Sequence, residues 1–216
     1  AVLDARTGTE RMRVAGAGSV NGILAGNQLL AGTGDSLSGW MPAAEAERNV
    51  RARMASGSSP EDAMALLHLA RQVRSGRLAA DGAAESVRRV RAGTAGDAVR
   101  AELLDLLLAI DAMELATGAD RTALDAAVDE AIELVKAPVR GGFARADRFL
   151  RRGDVPGAVR TAIATAATGD DAVRVPSGDV RPEAEARRIL MAARAAAPEA
   201  ASSAAADALQ IGRAHV

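Results

Sequence analysis

Phe149-Leu150-Arg151-Arg152-Gly153-Asp154-Val155-Pro156-Gly157-Ala158-Val159 is the stretch that decides the fold class of this chain. It reads as the end of one helix over 143–151, a short turn bearing Gly and Pro, and the start of a second helix over 157–167. Turns this short favour antiparallel neighbours, so the segment predicts a helical hairpin.

The same grammar extends upstream. Pro42 opens a helix with Ala43-Ala44-Glu45-Ala46-Glu47-Arg48, good helix formers with early acids, and Val50 and Met54 lie one turn apart. Ser56-Gly57-Ser58-Ser59 breaks it. Ser59-Pro60-Glu61-Asp62 restarts it with Ser as N-cap and Pro at N1. Met64, Leu66, Leu67, Leu69, Ala70 and Val73 then form an apolar face that ends at Ser75-Gly76, with Arg74 in the last turn. Further helices are predicted over 83–92, 97–116, 121–135 and 182–197. Leu103, Leu106, Leu107, Ile110, Met113 and Leu115 make the most apolar face and are expected at the centre of the core.

With Ala146 added, the run through Val159 resembles the hinge of a tetratricopeptide repeat. In that family a small residue packs late in the first helix, Gly-Asp makes the turn, and Ala opens the second helix. Ala146 and Ala158 match the small positions, where helices approach closely. Leu67 to Leu78, around Ser75-Gly76-Arg77, is a looser copy. The period of about 34 residues is not kept, and Pro138 and a loop over 173–180 interrupt it. The resemblance therefore implies tetratricopeptide-like (TPR-like) hairpins rather than a regular array.

Residues 1–41 read differently. Strand-like runs flank Arg6-Thr7-Gly8; Gly26-Asn27 and Gly32-Thr33-Gly34-Asp35 are turn signals around Leu29-Leu30-Ala31; and Leu37-Ser38-Gly39-Trp40 closes the segment. Four short strands with glycine-rich turns in about 40 residues is how a propeller blade is written. The run Leu3-Asp4-Ala5-Arg6-Thr7-Gly8, then Glu10-Arg11-Met12-Arg13-Val14 and Gly18-Ser19-Val20-Asn21-Gly22, closely resembles the repeat of pyrroloquinoline-quinone-like (PQQ-like) β-propellers. That group includes quinoprotein dehydrogenases and outer-membrane assembly lipoproteins. Met12 stands where the family usually has an aromatic between blades, which implies a degenerate or terminal blade. Trp40 is expected to cover the blade's end. The glycines at 16, 18 and 22 fit neither a P-loop nor a dinucleotide fingerprint.

The expected fold class is thus mainly α: helical hairpins over 42–210, preceded by a short antiparallel β segment from a terminal propeller blade over 1–41. The chain begins in the middle of a strand-like pattern. Ile211-Gly212-Arg213-Ala214-His215-Val216 matches a translated sequencing adapter, so 211–216 is expected to be a scar and both ends to be cuts.

Net charge is −1 with both signs scattered, which argues against nucleic acid or a polybasic membrane surface. Lys136 is the sole Lys among 27 basic residues, a bias of coding rather than a phosphate-binding device. No Cys is present, so thiolate metal sites and disulfides are excluded. No apolar run approaches the roughly 20 residues of a membrane helix. His68 lies beside Leu67 and Leu69 and reads as an ordinary helix His. Asp120, Asp125 and Asp129-Glu130 read as a solvated acidic face, because acids four apart on a helix lack calcium-loop geometry. No nucleophile-elbow, triad or kinase motif appears.

These readings predict a non-enzymatic protein–protein interaction scaffold with no cofactor, whose partner is a protein or peptide. The hairpin grooves are the expected contact surface, with Arg71, Arg74, Arg88, Arg89 and Arg91 as the candidate partner-binding residues. The propeller resemblance implies a bacterial protein of the cell envelope or periplasm. It leaves two alternatives: the C-terminal part of a quinone-dependent dehydrogenase, or the sensor region of a propeller-bearing kinase.

Overall fold

The computed structural model describes residues 2–3, 10–12, 21–25, 28–33, 36–57, 59–93, 95–168, 173–175 and 178–214, and helix dominates among them. Two compact units divide the chain, Ala1–Ser56 and Gly57–Val216. The sequence reading begins the helical domain at 42; the second unit begins at Gly57, because α1 (Ala43–Ser56) groups with the strands before it.

Among its described residues the first unit holds five short strands in two sheets. β1 (Val2–Leu3) pairs antiparallel with β2 (Glu10–Met12). β3 (Asn21–Ala25), β4 (Gln28–Thr33) and β5 (Ser36–Trp40) form an antiparallel meander. Its register pairs Ala25 with Gln28 and Thr33 with Ser36. The side-chain roles expected of Met12 and Trp40, and the turns at 6–8, 26–27 and 34–35, lie outside the described residues. In α1, Pro42 O accepts from the amides of Glu45 and Ala46, both at 3.0 Å, and Val50 is buried.

The second unit opens as the sequence predicts. Ser59 caps α2 (Pro60–Val73), its hydroxyl accepting from the Glu61 amide at 3.1 Å, with Pro60 at N1. An Ncap oxygen of this kind satisfies one of the donors left over at a helix start. Arg74 ends the helix in the left-handed region (φ 54°), and Ser75 at once caps the next, accepting from the Leu78 amide at 3.3 Å.

Here the sequence reading needs correction. Gly76 does not end a helix; it is the first residue of α3 (Gly76–Ala92), which starts seven residues before the predicted 83. A Cβ at Gly76 would lie 2.4 Å from the Leu115 carbonyl oxygen and 2.7 Å from Ala116 Cα, so glycine is there for close approach. Gly82 likewise lets α3 lie against Leu67. Helices α2 and α3 make the first hairpin.

α4 (Asp97–Asp111) stops short of the predicted 116, and α5 (Gly118–Leu134) follows. Leu103, Leu106, Leu107 and Ile110 are buried as expected, whereas Met113 and Leu115 sit half-buried in the connecting turn. α6 (Pro138–Arg151) also begins earlier than the predicted 143, with Pro138 at N1. Gly142 does not break it, since a Cβ there would meet Thr165 Oγ1 at 2.1 Å.

α6 and α7 (Val155–Ala166) form the second hairpin across the quoted Gly-Asp turn. Gly153 takes φ +80°, and Asp154 caps α7 by accepting from the Gly157 amide at 2.9 Å. Ala146 and Ala158 are fully buried with Phe143, Ala162, Ala186 and Ile189. The 173–180 segment, read as a loop, holds two short strands, β6 (Val173–Val175) and β7 (Gly178–Val180), paired antiparallel. α8 (Pro182–Ala196) lies as predicted. A further helix, α9 (Pro198–Ala214), was not foreseen. Its Ala201 and Ala204 are buried with Val155, Val159 and Ala193.

Candidate functional site

The five candidate arginines do not form one surface. Arg71 on α2 and Arg74 at its C-cap are exposed, as is Arg88 on α3. Arg88 donates twice to the Glu85 carboxylate, at 2.7 and 2.6 Å. Arg89, by contrast, is only 7% exposed. Its Nε donates to Glu85 at 2.6 Å and its Nη1 to the Ser59 carbonyl at 2.9 Å, so it ties α3 to the start of α2. The bond from Arg88 holds the Glu85 carboxyl down to about 2 against the opposing pull of burial, and Arg89 adds to it. Arg89 is a fold residue rather than a contact surface.

Arg91 is exposed and pairs with Glu130 of α5 at 2.7 Å. That pair crosses a groove between α3 and α5. Ala84, Val87, Arg88 and Arg91 line one side of it, and Ala123, Ala126, Ala127 and Glu130 the other. Past the Arg91–Glu130 crossing the groove continues to Arg100, Glu133 and Lys136. Small side chains on both helices keep it open, and Arg88 and Arg91 are the two candidate residues brought together on its rim.

In the acidic stretch of α5, Asp125 and Asp129 belong to an ionic seam, with Asp129 still exposed. Arg148 of α6 is 2% exposed and bonds Asp125 at 3.0 Å and, more closely, Asp129. Arg151 reaches Asp111 at 2.6 Å and Arg152 reaches Asp125 at 2.7 Å. Arg140 pairs with Asp105 and Arg145 with Glu133. Asp111, 1% exposed at the end of α4, also lies 2.8 Å from Arg121 of α5. Burial pulls the Asp125 carboxyl up, but Arg152 and Arg121 outweigh it and hold it below its ordinary value. Burial pulls the Arg148 guanidinium down, and Arg152 does the same, while Asp129, Asp111 and Asp125 oppose them.

None of the five arginines of this seam was a candidate from the sequence. The signal was present, in acids at 125 and 129 on one helix and Arg at 145, 148 and 152 on the next, both at helical spacing. Arg140 escaped because it precedes the predicted start of its helix.

His68 is exposed on α2. Among the described residues, no group of three or more His, Asp or Glu could hold a metal ion. No described helix is long and apolar enough to cross a membrane. No family model, curated protein or solved structure matches the chain.

Proposed function

We propose that this chain is a non-enzymatic protein–protein interaction scaffold, the TPR-like helical end of a PQQ-like propeller protein. The observation that carries the reading is the α3–α5 groove. It has a floor of small residues, and Arg88 and Arg91 stand on its rim. Grooves between helices take amphipathic segments by apolar anchors, and rim charges choose among them. The rim arginines favour a helical segment with acidic residues on its polar face. The β3–β4–β5 meander, with two-residue connections, supports the blade reading of the first unit. A single blade needs neighbours to cover its open edges, which fits a larger propeller.

Panning a displayed peptide library against the 216-residue chain tests the reading. Acidic amphipathic helices should be enriched and should lose about tenfold or more in affinity against Arg88→Glu/Arg91→Glu, as rim charge reversal turns attraction into repulsion. No enrichment, or enrichment insensitive to that double change, overturns it.

A further inference from the structure

Across the seam between α6 and the α4–α5 pair, arginine faces acid. Five arginines of α6 and its C-cap meet five acids of α4 and α5, and Arg121 of α5 sits among those acids. The apolar clusters built around Phe143 and Val159 lie wholly within α6–α9. A close apolar approach lies at the junction, where a Cβ on Gly141 would come within 3.0 Å of Ile132 Cγ2. It stands at the start of α6, beside the only covalent link, Val135, Lys136 and Ala137, in which Lys136 takes φ 51°.

From that point the ion pairs run along α6 to Arg152, about 18 Å away at helical rise. The bonding there is imperfect: buried Arg148 Nε and Asp111 Oδ1 find no hydrogen-bond partner, although Arg121 lies beside Asp111. Charges taken from water repay their desolvation only when every donor and acceptor is satisfied. Opening such a junction costs little, because water takes over each partner. Opening an apolar junction would expose surface that water does not compensate.

We propose that the seam is an electrostatic hinge: the α6–α9 block swings from the α2–α5 block about residues 135–137 when salt screens it. Both blocks keep their own buried cores and helices through the motion. Closed, the seam pairs the acids of α4 and α5 with α6; open, it frees them from those partners.

The chain has no cysteine, so labels can be placed cleanly. Spin labels at Glu102→Cys on α4 and Arg187→Cys on α8, both exposed positions, report across the seam. Arg160→Cys with Arg187→Cys reports within the α6–α9 block. Raising NaCl from about 0.05 M to about 1 M shortens the screening length to about 3 Å. The longer inter-block distance should then grow several-fold in population, with the within-block distance and the circular dichroism at 222 nm unchanged.

Arg145→Glu, on the exposed edge of the seam, should populate the longer distance already at low salt, and Arg145→Glu/Glu133→Arg should restore the short one. Four outcomes overturn the proposal: a salt-independent inter-block distance, a change that also moves the control pair or the helicity, a longer population that scales with protein concentration, or no restoration by the double change.

Discussion

The α2–α3 and α6–α7 hairpins of the helical unit are specified in different ways. In the α6–α7 hairpin the turn is written in its own residues. Gly153 takes the positive φ that glycine adopts without steric cost, and Asp154 satisfies the first amide donors of α7. In the α2–α3 hairpin the left-handed position falls to Arg74, and the glycine two residues on serves a distant contact. Gly76 is held against Leu115 and Ala116, some forty residues along the chain. One turn is therefore set by local chemistry and the other by what packs on it, which is why the turn of the first hairpin was legible and that of the second was misread.

The sharpest way to break this contrast is Gly76→Ala. A methyl group 2.4 Å from a backbone oxygen has no flexible neighbour to displace. Overpacking of this kind costs about 1–3 kcal/mol, at the upper end where backbone must move. Amide hydrogen exchange should accelerate across α2 and α3 and leave α7 unchanged; unaltered protection would mean that the contact does not hold the hairpin.

Asp154→Ala should cost about 1 kcal/mol, the ordinary loss for an N-cap. The faster exchange should be confined to the first turns of α7. If it spread as far as that of Gly76→Ala, the local-versus-distant distinction would fail.

The smallest effect belongs to Glu85, which joins Arg88 and Arg89 at the back of the first hairpin. Its folded pKa is depressed to about 2 from 4.5, so its stabilisation is present above about pH 4.5 and is lost as pH falls toward 2. Arg88 is exposed, and solvent screens that part of the pairing. Thermal melts near pH 7 and about pH 3 should show Glu85→Gln narrowing the drop in Tm seen in the parent chain by a few degrees at most. An identical drop in both would remove Glu85 from the acid response.

Legibility of the candidate site followed the same division. Asp125 and Asp129 were visible as acids one turn apart, but only Arg121 is near enough in sequence to pair with Asp125, and the other counter-ions come from elsewhere. Arg148 and Arg152 reach them from the following helix and its C-cap, and Arg151 reaches Asp111 at the end of the preceding one. Arg89 was grouped with Arg88 and Arg91 by composition, yet a rotation of about 100° per residue turns it inward while its neighbours face solvent. α9 was missed because its alanines and serines carry little apolar periodicity, and only burial of Ala201 and Ala204 against α7 and α8 gives it a place.

By itself the sequence determined the helical class, the restart at Ser59-Pro60, the Gly153-Asp154 turn and the buried faces around Leu67, Leu107 and Ala158. These rest on donors, acceptors and side-chain spacings that close within one or two turns of chain. The tertiary structure alone decided that Gly76, Gly82 and Gly142 are contacts and not breaks, and that Asp125 and Asp129 of α5 belong to a seam. A missing Cβ, or a lone carboxylate, takes its meaning from the atoms across from it, and those come from elsewhere in the chain.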